Sequence, residues 1–412
     1  MREHHKKPVK KNRPGGRHTP NLPGLLVAAL ATLLAFALAA ALLLFGIAWL
    51  SGVKLFPPAS GLISGAQLHD LVKTTVSAAT LVAGAFALVY AYRKQRIDEA
   101  TSHRADAEHL SKRYQDAAAQ LGHDRAPVRL AGVYAIGRLA DDWPENRQMC
   151  VDLLCAYLRM PYRPSLENDD ESLVRKTIFD VIRQHLTDPA DPDSWCDLDF
   201  DFSGGTYDKV NLYGSHFKKE VDFSDAKFTG LERRSDDRND GWFHFERCYF
   251  GAGASFFQTR FEGAVLFFDE AEFASGITHF GGASFTNFNL FFRKSEFSGG
   301  TTYFGHTEFT QASNCPPVGN LGHATFDESR ITGGKVVFRG AELNEFVRMS
   351  FADVELTSGE LDLSGLALGE PIGDSELPSV LVTFSTLADG RLTTPETPDE
   401  RFEVTYPDQP PA

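Results

Sequence analysis

The sequence lacks the short motifs that mark common catalytic and nucleotide-binding sites. It contains no H-E-x-x-H, no G-x-x-x-x-G-K-[ST], no G-x-S-x-G and no C-x-x-C. The segment Gly251–Phe256, GAGASF, lacks the third glycine of a dinucleotide-binding fingerprint, and none of the 13 histidines stands at a metal-ligand spacing. We therefore expect a chain that is not an enzyme and that has no catalytic, cofactor-binding or metal site.

Cysteine is scarce, and beyond the first hundred residues negative charge exceeds positive charge. The five cysteines have no paired spacing, which is typical of a reducing compartment; they are Cys150, Cys155, Cys196, Cys248 and Cys315.

Charge is distributed unevenly along the chain. Residues 1–100 contain twelve Lys and Arg against four Asp and Glu, a net charge of +8. Because the whole chain has a net charge of −14, residues 101–412 carry −22. Because phosphate backbones bind to basic surfaces, we expect no nucleic-acid partner for the acidic part.

Charged residues are absent from two long apolar runs near the start of the chain. Neither Leu25–Leu50 nor Thr74–Tyr92 contains a single charged side chain. About 20 apolar residues cross the hydrocarbon core of a bilayer, and both runs are long enough for this. The first is also far longer than the apolar region of a signal peptide. The sequence therefore predicts two transmembrane helices within residues 25–92, joined by a short external loop.

The distribution of Lys and Arg predicts the orientation of these spans. Basic residues cluster in the tail formed by residues 1–24, and again after the second run at Arg93, Lys94 and Arg96. Between the two runs the only basic residues are Lys54 and Lys73. By the positive-inside rule we expect a multi-pass protein of the inner (plasma) membrane with both termini in the cytoplasm and the basic tail on anionic lipid headgroups.

Residues 93–197 are predicted to form a helical juxtamembrane adaptor. Gly and Pro are absent from Ala85 to Leu121, so the second span is expected to continue as one helix until Gly122–Pro127 ends it. Further helices are predicted over Pro127–Ala140, Pro144–Leu158 and about Leu173–Leu186. We interpret the region as a cap on the domain that follows, because an uncapped β-domain end exposes edge strands.

A ladder of phenylalanines with a period of twelve runs through the second half of the chain. Its most regular members are Phe256, Phe268, Phe280, Phe292 and Phe304. Each is followed five positions later by a partner: Phe261, Phe273, Phe285, Phe297 and Phe309. Such regularity indicates a solenoid, in which each unit buries its apolar face against its neighbours. The alternative is an antiparallel β-sandwich, which does not need a constant period.

The ladder resembles the repeats of the pentapeptide-repeat family. Four segments carry the family's small residue two places before a large one: FSDAKF (Phe223–Phe228), FDEAEF (Phe268–Phe273), FGGASF (Phe280–Phe285) and FRGAEL (Phe338–Leu343). The resemblance covers residues 198–369 and implies a right-handed quadrilateral β-helix. We expect residues 370–412 to form a C-terminal cap and a Pro-rich tail. Strict family spacing would place pairs ten positions apart, so we expect the two extra residues to be accommodated at corners.

The segment before the ladder carries a second resemblance. Ala117–Trp143 is similar to a helical segment that precedes the repeats in many bacterial membrane-anchored pentapeptide-repeat proteins. The fold expected from both resemblances is α + β: two transmembrane helices, a helical adaptor and then the β-helix.

Two insertions interrupt the ladder at the same phase. The step from Phe223 to Phe245 and the step from Phe304 to Phe326 are each one repeat of twelve plus ten further positions. If two repeats make one turn, the insertions lie three turns apart on one face. Loops on a rigid scaffold often carry recognition, so the candidate partner-binding residues in the two insertions are Arg233, Arg234, Asp236, Asp237, Pro316 and Pro317.

These features leave three hypotheses for function. The first is a non-catalytic, membrane-anchored scaffold that presents the β-helix to an unidentified protein partner. The second, implied by the family resemblance, is an acidic DNA mimic that binds a topoisomerase. The third is a subunit of a transport or channel assembly, although the spans contain no charge of the kind that marks a transport pathway. Alanine-rich spans suit close helix packing, and so a homo-oligomer is compatible with each hypothesis.

Overall fold

A computed structural model describes residues 65–164, 169–230, 241–312, 321–369, 379–395 and 400–406, together with scattered positions between residues 34 and 50. The chain divides into two compact units, Met1–Ala105 and Asp106–Ala412. The second unit contains a helical region followed by a large domain of parallel strands.

Four α-helices with described bounds precede the strands. They are α1 (Gly65–Leu121), α2 (Ala126–Asp142), α3 (Arg147–Arg159) and α4 (Asp169–Leu186), with a 3-10 turn over Pro144–Asn146. Helix α1 ends immediately before Gly122, and Pro127 stands in the first turn of α2, where its missing N–H removes no helical hydrogen bond. The break between α1 and α2 therefore lies at the segment that the sequence predicts.

The strands form four columns, and each column is one side of a stack of coils. Side one contains β1 (Phe200–Asp201), β5 (Val221–Asp222), β9 (Gly253–Ser255), β13 (Ile277–His279), β17 (Thr301–Tyr303), β21 (Lys335–Val337), β24 (Glu360–Asp362) and β27 (Arg391–Thr393). Side two contains β2 (Thr206–Tyr207), β6 (Lys227–Thr229), β10 (Arg260–Glu262), β14 (Ser284–Thr286), β18 (Glu308–Thr310), β22 (Glu342–Leu343) and β25 (Ala367–Leu368). Side three contains β3 (Val210–Asn211), β7 (Trp242–His244), β11 (Val265–Phe267), β15 (Asn289–Phe291), β19 (Gly322–Thr325), the first parts of β23 (Val347–Leu356) and β26 (Val380–Leu387), and β28 (Phe402–Thr405). Side four contains β4 (His216–Phe217), β8 (Tyr249–Phe250), β12 (Glu272–Phe273), β16 (Glu296–Phe297), β20 (Arg330–Ile331) and the second parts of β23 and β26.

The register shows that one coil is two ladder repeats. Ile277 pairs in parallel with Thr301, and Phe261 pairs in parallel with Phe285, so each partner lies two repeats further along the chain. The described strand pairs of all three sheets are parallel, so the antiparallel sandwich is wrong and the stacked coil is confirmed.

Strand β23 continues through a corner, which joins sides three and four into one 13-stranded sheet. Strands β26–β28 extend the sheets beyond residue 369. The right-handed sense of the coil stays a prediction.

The ladder phenylalanines fill the lumen of the coil in stacked columns. Phe256, Phe280 and Phe304 lie face to face at centroid distances of 4.7 Å, with planes inclined by 2° and 5°. The neighbouring column meets the first edge-on, for example Phe256 against Phe268 at 5.8 Å and 88°. These rings are fully buried. Each contributes on the order of 1.5–3 kcal/mol by removal from water, and offset or edge-on contact adds to this.

A tight turn follows each ladder phenylalanine. In the turn that begins at Phe256, the Thr259 N–H donates to the Phe256 carbonyl at 3.2 Å, and Gln258 has φ +55°. The two extra residues per repeat do not lie at a corner, as the sequence predicts, but on side three and the start of the next turn, where Ala264, Leu266 and Phe268 supply three buried positions. Side two supplies only two, Thr259 and Phe261, and this longer side explains a spacing of twelve rather than ten.

The helical region packs on the first coil of the β-domain. Phe179 of α4 lies 5.5 Å from the ring of Phe202 and 5.7 Å from that of Tyr207. Asp208 accepts hydrogen bonds from Tyr162 at 3.0 Å and from Ser172 at 2.8 Å. The helices thus cover the β1–β3 end of the stack with both apolar and hydrogen-bonded contacts.

Candidate functional site

One described helix segment is long and apolar enough to cross a membrane. It runs over Val72–Glu99, with a mean hydropathy of 1.6, and only 6% of its most apolar window is buried. Leu81 and Leu88 are 76% and 74% exposed. The hydroxyl groups of Ser77 and Thr80 donate to carbonyls one helical turn earlier, at 2.9 and 2.8 Å, so both are satisfied within the helix as a bilayer requires.

The other predicted span, Leu25–Leu50, falls largely outside the described residues. The positions that are described between residues 34 and 50 are helical, and Leu38 and Trp49 there are 66% and 79% exposed. The described residues therefore show one candidate span rather than the two that the sequence predicts.

Both insertions begin and end at the same corner of the coil. The first connects β6 to β7 and the second connects β18 to β19, so each leaves side two and enters side three. Strands β6, β10, β14 and β18 are successive neighbours, which puts the two anchor points three coils apart. At strand spacing this is about 15 Å. The six candidate residues, Arg233, Arg234, Asp236, Asp237, Pro316 and Pro317, all lie outside the described residues.

The ends of the first insertion are held by close backbone contact. A Cβ on Gly230 would lie 2.2 Å from the carbonyl oxygen of Gly263, and a Cβ on Gly241 would lie 2.7 Å from the Gly230 Cα. Gly241 also has φ +79°, which a side chain disfavours. The chain therefore leaves and re-enters the coil at adjacent points that require glycine.

Side-chain amides hold the start of the second insertion. Asn344 accepts a hydrogen bond from the Gln311 N–H at 3.1 Å and donates one to the Gln311 carbonyl at 2.9 Å. The Ala312 N–H donates to Asn287 at 2.9 Å. Side chains from the coil before and from the coil after thus hold Gln311 and Ala312 in place.

An outward-facing aromatic row lies on side three, next to this corner. His244 stacks on Phe267 at 5.3 Å, Phe267 stacks on Phe291 at 5.4 Å, and Trp242 meets Phe267 edge-on at 5.4 Å. The Arg293 guanidinium lies over the Phe291 ring at 4.9 Å. Because the ring faces contact one another, they are not free to stack on a nucleobase or a sugar. The stacked rings stabilise the outer surface of side three, and their edges face the solvent.

The described thiols are poor nucleophiles. Cys150, Cys155, Cys196 and Cys248 are all buried. Burial raises the pKa of Cys150 to about 11 and that of Cys155 to about 12, and it raises the pKa of Cys248 as well. Since the thiolate is the reactive form, these residues act as small apolar groups. Within the described ranges there is no cluster of three or more His, Cys, Asp or Glu side chains placed to hold a metal ion.

The sequence reasoning missed one surface feature of the helical region. Helices α1 and α2 line a common groove that includes Asp116, Tyr134 and Arg138. The sequence does contain a pattern that indicates this groove, because its lining positions on both helices follow the i, i+3, i+4, i+7 spacing of one helix face. Comparison of the chain with protein-family models, with curated proteins and with solved structures finds no match.

Proposed function

We propose that this protein is a membrane-anchored, non-catalytic scaffold of the pentapeptide-repeat type, which presents its β-helix to a protein partner. The observation that carries the proposal is the combination of two elements in one chain. One is an apolar helix whose side chains are mostly left exposed by the described residues. The other is a rigid stack of parallel coils with a fully buried aromatic core. An anchor joined to a stiff display surface suits a protein that positions a partner at the membrane.

The proposed topology has two spans with both termini in the cytoplasm of a bacterial cell. The second span is the segment Val72–Glu99, and the charge-free run Leu25–Leu50 supplies the first. The basic tail and the basic residues after Tyr92 support this orientation by the positive-inside rule. The buried thiols of the second unit fit a reducing compartment.

The proposed partner-binding surface is the corner that carries both insertions. Two anchor points on one edge of a rigid coil allow the two loops to contact one partner together. The first insertion is rich in charge, with Arg233, Arg234, Asp236 and Asp237, whereas the second contains Pro316 and Pro317 and no charged residue. The corner therefore carries a charged and an uncharged insertion, whose anchor points lie about 15 Å apart.

Capture of partners from membranes tests the scaffold. The full chain is expressed with an affinity tag, membranes are solubilised in mild detergent, and captured proteins are quantified by mass spectrometry. In the test variant, residues 231–240 and 313–320 are each replaced by a short Gly-Ser linker. A matched control replaces the exposed side chains of Lys294 and Glu328, which lie at another corner, with alanine. We expect the loop variant to lose a protein that the control retains, with equal melting temperatures.

Three results would contradict this proposal. If the loop variant and the control capture the same proteins, the insertion corner is not the binding surface. If the captured protein is a topoisomerase and the purified chain inhibits DNA supercoiling, the DNA-mimic hypothesis replaces the scaffold. Ion conductance by the purified chain in planar bilayers would support the transport hypothesis instead.

A further inference from the structure

The groove between α1 and α2 has the form of a helix-docking face. Its volume is about 440 Å³, and it is lined from Arg113 to Gln120 on α1 and from Ala131 to Arg138 on α2. Ala117 is buried in the groove, while Ala131 is exposed on its wall. Small side chains at these positions allow another helix to approach closely, and two parallel-sided helix faces are the usual receptor for a third helix.

Two side chains of opposite charge line this groove, one on each helix. Asp116 on α1 and Arg138 on α2 are both exposed, and among the described residues neither makes an ion pair or a side-chain hydrogen bond. The third charged group of the groove is different, because Arg113 pairs with Asp142 at 2.7 Å. Asp116 and Arg138 therefore lie on opposite walls of the groove, each without an ion-pair partner among the described residues.

A large side chain projects from the same face. Tyr134 lines the groove and is 62% exposed, and its hydroxyl group makes no hydrogen bond within the described chain. The same surface thus has a protruding aromatic side chain and, at Ala117, Ala131 and Ala135, small side chains that leave room for one.

We propose that this face binds a second copy of the chain across a two-fold axis. In a two-fold interface each contact occurs twice with the roles exchanged. Asp116 of one copy then pairs with the partner's Arg138, Arg138 pairs with the partner's Asp116, and each Tyr134 enters the groove of the other copy. The two helix pairs form a four-helix arrangement. This inference rests on the helical region alone and does not require the proposed membrane anchor or partner.

Charge reversal in the full-length chain tests the two-fold pairing. The chain is purified in detergent, and its self-association is measured by sedimentation as a function of concentration. We expect Asp116→Arg and Arg138→Asp each to weaken self-association by on the order of tenfold, because each change replaces two attractive pairs with two repulsive ones. The double variant Asp116→Arg/Arg138→Asp restores opposite charges across the axis and should associate as the native chain does. Glu108→Arg, a reversal at an exposed position of α1 outside the groove, is the control.

Three results would overturn the proposal. They are a native chain that is monomeric at all concentrations, a dimer that neither reversal weakens, and a double variant that is not restored. A dimer held by the apolar helices alone would give the second result. A groove that binds a different protein would give the first or the second.

Cross-linking keeps the test decisive if a charge variant folds poorly. Cysteine is introduced at Ala131, on the groove, or at Ala119, which is exposed on α1 outside it, each in a Cys315→Ser background. A short thiol-reactive cross-linker should join two copies of the Ala131→Cys chain and should leave the Ala119→Cys chain monomeric on a denaturing gel. Equal cross-linking at the two positions, or none at Ala131→Cys, would contradict a two-fold interface at this face.

Discussion

Phe280 and Phe304 lie face to face in the lumen, with ring centroids 4.7 Å apart and planes inclined by only 5°. They are separated by two ladder repeats and occupy the same position in successive coils. Phe280 also has Phe256 on its other face at 4.7 Å and Phe268 against its edge at 6.0 Å. One side chain therefore contacts rings from the coil below, the coil above and the neighbouring column.

Truncation of this ring should be among the most damaging changes in the domain. We expect Phe280→Ala to lower the free energy of unfolding by about 3–5 kcal/mol, since it removes a fully buried aromatic side chain and leaves a cavity. Phe257→Ala is the matched control, because Phe257 follows a ladder position but is 42% exposed. Chemical denaturation of the full chain in detergent measures both changes. Equal losses would contradict the inward assignment of the ladder.

The turns after the ladder residues should be sensitive to branched side chains. Gln258 has φ +55° at the third position of its turn, a conformation that β-branched residues strongly disfavour. We expect Gln258→Val to destabilise the protein by about 1–3 kcal/mol and Gln258→Gly to be neutral or stabilising. The order of the two melting temperatures checks this. A valine variant as stable as the glycine variant would show that the turn relaxes to another conformation.

The buried thiols should be protected from reagents in the native chain. The pKa of Cys155 is raised to about 12 by burial, so thiolate is nearly absent at pH 8. We expect Cys150, Cys155, Cys196 and Cys248 to react with a thiol reagent only after denaturation, as read by mass spectrometry of labelled peptides. Rapid labelling of Cys155 in the native protein would contradict its position in the core.

Two histidines on the outside of the coil should make stability depend on pH. Burial lowers the pKa of His279, and burial together with the charge of Arg348 lowers the pKa of His323. The unfolded chain therefore binds protons more readily, with an ordinary histidine pKa of about 6.5. Their contribution to stability is fully present above about pH 6.5 and is lost as the pH falls below it.

A double substitution isolates this effect from the other titrating groups. We expect the melting temperature of the His279→Gln/His323→Gln chain to fall less between pH 7.5 and pH 5.5 than that of the native chain. Identical pH profiles would show that neither histidine is harder to protonate in the folded state.

The sequence is sufficient to predict the coil but not all of its details. The period of the phenylalanines predicts the stacked coils, because only equivalent positions in successive coils can bury the same ring type repeatedly. It does not predict that Gln258, Glu270 and Lys294 adopt positive φ, since these residues carry no local preference for that conformation. The coil imposes it, because the ladder rings on each side of the turn fix the chain direction.

The structural features that the sequence does not predict depend on packing between residues that are distant in the chain. The continuation of β23 through a corner, which joins two sides into one sheet, has no signal in the local residue pattern. The groove between α1 and α2 depends on which faces of two helices meet, and this is settled by tertiary contacts such as Arg113 with Asp142. The insertions were visible as breaks in a regular period, and their common corner follows from that regularity.

The position of the C-terminus relative to the membrane tests the central claim of a membrane-anchored cytoplasmic scaffold. Two reporters are fused separately after Ala412: alkaline phosphatase, which is active only in the periplasm, and a fluorescent protein that matures in the cytoplasm. Membranes of each strain are washed with alkaline carbonate before measurement. The account predicts that both fusions remain in the washed membranes, that the phosphatase is silent and that the fluorescent fusion is bright. Release of the fusions by carbonate, or an active phosphatase, would contradict it.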